Sequence, residues 1–478
     1  MTKGIQQKSF SFRGQAVDVL EALKDRPYPF LLESSLRRPG LGRFSFLGAD
    51  PFLVVKGEKK NSLAHLNRHF ERYARFLRGC RRPFPGGIMG YLSYDFGLSL
   101  EPGLGGSNAP KPDASRVPGY LFGFYDVGIM IDHAAGKLTV LSTGLPAPSA
   151  RRRLRKAQER LAEMTSRLTS RLPAGKKVSR PAYFGKGPRR HDLPSLKSNF
   201  TKAEYLKAVR RVLDYIRAGD IYQVNLSQRF FCDAKANPKK IEALKLYRIL
   251  RERSPSCFSG YFDAGDFKIV SSSPERFLEM HDDVIQTRPM KGTRPRGRGP
   301  VQDKRNAGVL WKSRKDIAEL LMITDLERND LGRVCRYGSV HVREMRALEK
   351  YATVFQTTST VTGRIKENKN IFDCLRETFP GGSITGCPKI RAMQIINELE
   401  PSPRSIYTGA MGYVGFSGRC DFNILIRTFL VRGRRVYFHA GGGIVADSVP
   451  EREYEETLVK ARAMRECLGV LLHAKDKS

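Results

Sequence analysis

Apolar residues recur with a helical period after residue 200. Tyr205, Val209, Val212, Leu213 and Ile216 fall on one face, the spacing of an amphipathic helix. Thr201 with Glu204 forms a capping box at its start, and Gly219 ends it. The same period predicts an amphipathic helix over 389–399, with Pro388 suited to its first turn, a basic helix over 151–170 and a charged helix over 452–468. Dense β-branched and aromatic runs predict strands instead. These cover 30–35, 44–48, 86–95 (with glycines where backbones approach closely), a turn and strand over 219–231, and 422–431. Arg432-Gly433-Arg434 then turns the chain into Val436-Tyr437-Phe438, which runs into Gly441-Gly442-Gly443. Residues 102–112 read as a Gly/Pro/Asn loop and 173–198 as a Pro/Gly/Lys/Arg linker. The expected organisation is an N-terminal region to about 150, a basic helix and linker over 151–198, and a C-terminal domain over 199–470.

The chain has 478 residues, 40% of them hydrophobic, enough for a substantial core in one large domain or two ordinary ones. No apolar run reaches the roughly 18 residues that span a bilayer, and the polar start lacks an apolar signal core. A soluble, cytosolic protein is expected, with no membrane association. The eight cysteines are scattered singly. Without a CxxC pair they suggest neither a zinc site nor a redox motif, and reduced thiols are the simplest expectation.

The formal net charge of +36 would attract polyanions. No nucleic-acid-binding motif accompanies it, and the basic residues run along the whole chain, densest at 151–156, 176–190 and 294–315. The charge therefore points to a solvated surface, an anionic small substrate or an acidic protein partner. A basic nucleic-acid-binding protein is the alternative of another class.

Against that background Lys291 stands out, in Thr287-Arg288-Pro289-Met290-Lys291-Gly292-Thr293-Arg294-Pro295-Arg296. Its neighbouring arginines should disfavour the ammonium form and leave some free, nucleophilic amine. A surface basic turn would look the same. Two carboxylate pairs, Asp316 with Glu319 and Glu453 with Glu456, are each three residues apart on a predicted helix, so each projects from one face. Brought together, the two faces would hold a hard cation such as Mg²⁺. Ion pairs to Lys315 and Lys460 at i,i+4 are the plainer use of Glu319 and Glu456.

Arg427 interrupts an apolar strand and needs a partner there. That partner is either Asp421 or another protein carboxylate, or a substrate acid group held by two parallel hydrogen bonds. Glu275 lies beside a mostly apolar strand and is a candidate for proton transfer, or an ion pair with Arg276. The glycine turns at 381–386 and 441–443 offer backbone N–H groups to an anion, or are simply turns.

Together these pieces resemble the chorismate-utilising enzymes, and within them the aminodeoxychorismate synthase branch. The resemblance is dense over about 200–470. It runs through Gly219-Asp220-Ile221-Tyr222-Gln223-Val224-Asn225-Leu226-Ser227, Ser273-Pro274-Glu275-Arg276-Phe277, Asp325-Leu326-Glu327-Arg328-Asn329-Asp330, Phe379-Pro380-Gly381-Gly382-Ser383-Ile384-Thr385-Gly386 and Gly441-Gly442-Gly443-Ile444-Val445-Ala446-Asp447-Ser448. Leu31 to Ser34 and Gly90 to Asp95 match more loosely.

The resemblance implies an α+β fold, a large sandwich of mainly antiparallel sheets flanked by helices, with chorismate bound between the sheets. It implies Mg²⁺ on Glu319 and Glu456, supported through water by Asp316 and Glu453. It places Arg427 and Tyr407 at the enolpyruvyl carboxylate, Gly442 and Gly443 at the ring carboxylate, and Gly292 and Thr293 near the ring. Lys291 stands where anthranilate synthases carry alanine and is the implied nucleophile, with Glu275 the candidate for moving protons. Gln223 stands where isochorismate synthases carry a lysine that activates water. Two departures from the family pattern are Gln356, where relatives place a histidine near the leaving hydroxyl, and Asp316, where they have glutamate. No glutaminase segment is visible, so ammonia is expected from solution or a separate glutamine amidotransferase subunit. The 31–34 segment with Pro255 to Phe258 lies where relatives bind tryptophan.

Overall fold

The computed structural model describes residues 4–36, 38, 40–58, 61–101, 104, 111, 115–172, 193–233, 241–351 and 354–473. Most of the expected linker and of the 102–112 loop, and all of the basic stretch 176–190, lie outside these. Among the described residues the strands form two antiparallel sheets, of twelve and ten strands. Both sheets draw on both ends of the chain. Phe30–Glu33 pairs with Phe258–Asp263 in the larger sheet, and Gly87–Leu92 with Ala410–Gly415 in the smaller.

The sheets pack face to face through aromatic and aliphatic residues, among them Phe30, Phe262 and Leu430 from one and Tyr91, Met411 and Tyr413 from the other. Helices cover the outer faces. Met164, Leu168, Leu246 and Met464 seal the larger sheet; Leu66, Phe70 and Leu375 seal the smaller. This is the sandwich flanked by helices that the sequence implied. Among the described residues no helix is long and apolar enough to cross a membrane.

The capped helix is Lys202–Arg217. The Glu204 N–H donates to Thr201 Oγ1 at 3.2 Å and the Thr201 N–H to Glu204 Oε2 at 2.7 Å, the reciprocal pattern of a capping box. The other predicted helices form as Ala150–Arg171, Lys389–Leu399 and Pro450–His473. Three predicted elements differ. The 86–95 strand stops at Leu92, and Ser93 caps a short helix, Tyr94–Leu100, by accepting the Phe96 N–H. The glycines at 441–443 are not a turn; they lie within the strand Arg435–Ile444, paired to Gln223–Asp233 with Gly442 opposite Leu226. The apolar run 422–431 is two strands, Cys420–Ile424 in the ten-stranded sheet and Thr428–Arg432 in the twelve-stranded one. The chain crosses between sheets at 425–427, and Arg427 takes a left-handed φ of 49° there. Apolar density alone cannot mark such a crossing, because both halves are buried strand.

Candidate active site between the sheets

Lys291 sits on the strand Met290–Pro295, opposite Thr357 of Val354–Arg364. The pairing shifts register between Lys291 and Thr293, and Gly292 has φ +69°. A Cβ there would come within 2.7 Å of Leu310 Cδ1 and 3.1 Å of Asp316 Cβ, so the bulge needs glycine both for its conformation and to let the helix Arg314–Val334 pass. The bulge turns the lysine inward, where Nζ donates to the Ser383 carbonyl at 3.4 Å.

The Lys291 amine is held below the ordinary lysine range, and the cause is not the one the sequence suggested. Each flanking arginine has its own carboxylate. Arg288 pairs with Glu349, Arg294 with Asp316 at 2.8 Å, and Arg296 with Asp303 at 2.6 Å. Burial is what lowers Lys291, opposed by Glu319 and Glu275, aided by Lys460 and opposed again by Glu456. Burial removes water from the charged form and so disfavours the ammonium.

Glu275 is 5% exposed and lies between the strands Lys268–Ser273 and Arg276–His281. The Met290 N–H reaches its Oε1 at 3.4 Å, which places it one residue from Lys291. Burial pushes its carboxyl up to about 7, against the opposing pull of Ser383 and Lys291. It is not paired with Arg276, which holds Asp421 and Glu279. An acid that titrates near neutrality beside a depressed amine can exchange protons at little cost.

The two expected carboxylate pairs do ride on helices. Asp316 is in the first turn of Arg314–Val334, capped by Ser313, and Glu453 and Glu456 lie on Pro450–His473. Gly442 shows how these acids meet the sheet: a Cβ on it would lie 3.3 Å from both Glu453 Oε2 and Glu456 Oε1. Glycine lets the helix carboxylates approach the strand backbone. Glu453 accepts from Ser448 Oγ at 2.6 Å, and burial, with Glu456 nearby, raises its carboxyl. Glu456 pairs with Lys460 at 2.7 Å and Glu319 stands 3.9 Å from Lys315, while Asp316 is taken by Arg294. Glu319 and Glu456 both act on Lys291. The donors are oxygen only, which suits a hard divalent cation in kind. Among the described residues no three acids close into a cation cage; ammonium groups supply the countercharge.

Tyr407 and Arg427 lie on adjacent segments, joined by the Thr408 N–H to Leu425 O at 2.9 Å and the Leu425 N–H to Gly409 O at 2.8 Å. The Tyr407 ring stacks on His439 with centroids 4.7 Å apart, and burial pushes its phenol up to about 12. Gln356 Nε2 donates to Thr293 Oγ1 at 3.3 Å, while its Oε1 is buried without a hydrogen-bond partner. Gln223 is fully buried with neither amide atom partnered, and its Nε2 would lie 3.0 Å from a Cβ on Gly443. Orphaned buried polar atoms of this kind suit a polar ligand.

Residues near the expected tryptophan position also come together. Leu32, Glu33, Ser34, Cys257, Phe258 and Met411 line a cavity of about 360 Å³. The Glu33 carboxylate is occupied, accepting from Tyr247 and Arg251 at 2.8 Å each.

Sequence reasoning gave no role to Ser383 or Glu327. Ser383 carries only the signal of its glycine-rich turn and of the segment Ser383-Ile384-Thr385-Gly386, which resembles the aminodeoxychorismate branch. Glu327 carries one: it falls on the stripe Leu320, Ile323, Thr324, Leu331 and Val334, all buried on the same helix, and an acid on an apolar stripe is a departure worth pursuing.

A sequence profile described as chorismate binding enzyme matches residues 29–466. The chain is 39% identical over 460 residues to anthranilate synthase component 1 of Thermus thermophilus, covering 93% of each chain. It is 34% identical over 463 residues to aminodeoxychorismate synthase component 1 of Bacillus subtilis, covering 93% of this chain and 92% of that one. The crystal structure of anthranilate synthase component I from Streptococcus pneumoniae superposes with a TM-score of 0.72 at 30% identity, over 89% of this chain and 92% of the other.

Proposed function

The chain belongs to the chorismate binding enzymes, of the anthranilate and aminodeoxychorismate synthase type, and on that footing we propose that it is the aminase subunit of an aminodeoxychorismate synthase. It would convert chorismate and ammonia to 4-amino-4-deoxychorismate, on the route to p-aminobenzoate and folate. The observation that carries this reading is the Lys291 amine, turned inward by the Gly292 bulge and depressed by burial beside an acid of raised pKa.

The residues divide the work as follows. Arg427 and Tyr407 hold the enolpyruvyl carboxylate, and the backbone at Gly442 and Gly443 meets the ring carboxylate. Thr293, with Gln356 bonded to it, lies along the ring. The Lys291 amine adds at ring C2, the double bond shifts, and the C4 hydroxyl leaves as water after accepting a proton. Glu275 is the acid within reach whose proton is available near neutral pH; Gln356 has none to give. Ammonia then adds at C4, the double bond returns, and Lys291 departs as the free amine, so the pyruvyl ether survives. Mg²⁺, held by Glu319 and Glu456 with Asp316 and Glu453 outside them, would neutralise the ring carboxylate and favour electron flow toward it. Ammonia would come from a separate glutamine amidotransferase subunit, in keeping with relatives named component 1.

The names of several relatives favour a second reading, anthranilate synthase component 1. Product analysis separates the two. The purified chain is incubated with chorismate, Mg²⁺ and an ammonium salt at mildly alkaline pH, and products are resolved by mass and chromatography. A product that keeps the pyruvyl group, and yields p-aminobenzoate only when a lyase is added, supports the proposal. Anthranilate with free pyruvate overturns it in favour of the second reading. Lys291→Ala should lower amination sharply or divert it to C2; full output from that variant removes the nucleophile.

A further inference from the structure

Glu327 is 4% exposed. Among the described residues no lysine or arginine lies within ion-pair distance of it. Its one hydrogen bond is from the Gly382 N–H to Oε1, at 3.0 Å. A Cβ on Gly382 would lie 3.1 Å from that oxygen and 2.7 Å from Leu326 Cδ2, so the carboxyl packs directly on this peptide. One residue further, the Ser383 carbonyl accepts from Lys291 Nζ.

The rest of the loop is fixed by other hydrogen bonds, from groups of which Lys389 and Asp330 also act on the Glu327 carboxyl. Lys389, paired with Asp330 at 2.5 Å, donates to the Thr378 and Pro380 carbonyls at 3.0 Å each. Thr385 Oγ1 closes the far side on the Gly381 carbonyl at 3.1 Å. Between these anchors, the Gly382 N–H is the point at which the helix Arg314–Val334 takes hold of the loop whose Ser383 carbonyl faces Lys291. Burial, with Asp330 beside it, raises the Glu327 carboxyl. Either protonation state can accept an N–H, so the contact survives across neutral pH.

An unpaired buried acid on an apolar stripe is costly, and this one makes a single hydrogen bond, to the residue before the one whose carbonyl meets the reactive amine. We propose that Glu327 is a positioning residue for Lys291, acting through the backbone of Gly382 and Ser383, from the N–H of the first to the carbonyl of the second. This rests on Lys291 being the reactive amine.

The test compares Glu327→Met, which fills similar space without an acceptor, with Glu327→Gln, which keeps the oxygen. Lys291 acylation by acetic anhydride is followed by peptide mass spectrometry over a pH series, alongside amination kinetics and thermal melting. In Glu327→Met this backbone slackens, water reaches Lys291 and the lowering due to burial eases. Lys291 labelling near pH 7 then falls about tenfold, a shift of about one pKa unit, and its midpoint moves to higher pH. The amination kcat falls with KM for chorismate nearly unchanged, and Glu327→Gln recovers most of both losses. A Glu327→Met labelling curve that superposes on the wild type overturns the proposal, as does a folded Glu327→Gln no better than Glu327→Met. Should Glu327→Met not fold, Glu327→Gln against Glu327→Ala gives the same comparison. If the wild-type protein does not aminate chorismate, the functional reading falls, while the labelling curves still decide the positioning.

Discussion

Arg276 grips Asp421 through two parallel hydrogen bonds, Nε to Oδ1 at 3.0 Å and Nη2 to Oδ2 at 2.9 Å. The sequence offered Asp421 as a partner for Arg427, six residues away. The strand register decides otherwise, because Cys420–Ile424 lies beside Arg276–His281 and Arg427 is past the crossing into the other sheet. Arg427 is left partly buried with no carboxylate within ion-pair distance among the described residues, and burial lowers its pKa. A buried guanidinium without a protein counterion suits an acid from outside.

Arg427→Ala should therefore act mainly on substrate binding. Charge-assisted hydrogen bonds contribute about 1.5–3 kcal/mol, so KM for chorismate should rise roughly ten- to a hundredfold, with thermal stability unchanged or improved. Arg427→Lys restores charge without the planar fork and should recover only part. Steady-state kinetics with a melting curve check this; an unchanged KM would give Arg427 a structural role.

Glu275 makes stability depend on pH in a stated direction. Its folded value, about 7, lies above the ordinary glutamate value of 4.5. Between those values the folded state binds the extra proton, so stability falls as pH rises from about 4.5 to 7 and then levels. Glu275→Gln removes this dependence. Relative to the wild type it should gain stability across that window, reaching on the order of 3 kcal/mol above pH 7, while amination drops. Urea unfolding at pH 5 and pH 8 measures it. An equal difference at the two pH values would mean that Glu275 titrates normally.

The acids proposed for the cation should not be equivalent. Glu456 faces the Gly442 backbone and Glu319 acts on Lys291, whereas Asp316 is held by Arg294. Glu456→Gln and Glu319→Gln should each abolish Mg²⁺-dependent turnover. Asp316→Asn should raise the Mg²⁺ concentration for half-maximal rate severalfold and leave the saturated rate within reach of wild type. Rate against Mg²⁺ concentration for the three variants reads this out; an Asp316→Asn as dead as Glu456→Gln would place Asp316 on the ion itself.

What was legible in the sequence follows from the range of the forces involved. The helix Lys202–Arg217 could be read because period and capping box are local. The sandwich came from the resemblance and is what the two sheets form. The strand crossing at Arg427 could not be read, since it depends on which sheet each half joins. The depressed Lys291 was expected for the wrong reason. Arg288, Arg294 and Arg296 are close in sequence, yet each is neutralised by a carboxylate from elsewhere in the fold, Glu349, Asp316 and Asp303. Burial, which sequence neighbours do not report, does the lowering. Glu327 went unread although it falls on a buried stripe of its helix, and its partner Gly382 is 55 residues away.

Gly442 ties the sheet to the acidic helix, and one methyl group tests that junction. Its strand pairing to Leu226 is regular, and it is absent from the glycines with positive φ, so alanine meets no backbone strain there. The added Cβ would stand 3.3 Å from one oxygen each of Glu453 and Glu456, which is tight, and the carboxylates can yield by a few tenths of an ångström. Gly442→Ala should therefore cost little stability, within about 1 kcal/mol. It should nevertheless push both acids away from the strand and put a methyl group where the ring carboxylate is proposed to meet the backbone. Turnover should fall at least tenfold, with a higher Mg²⁺ requirement and a melting temperature close to wild type. Loss of folding would mean that the helix Pro450–His473 cannot move; full activity would mean that substrate and cation lie elsewhere than against Gly442.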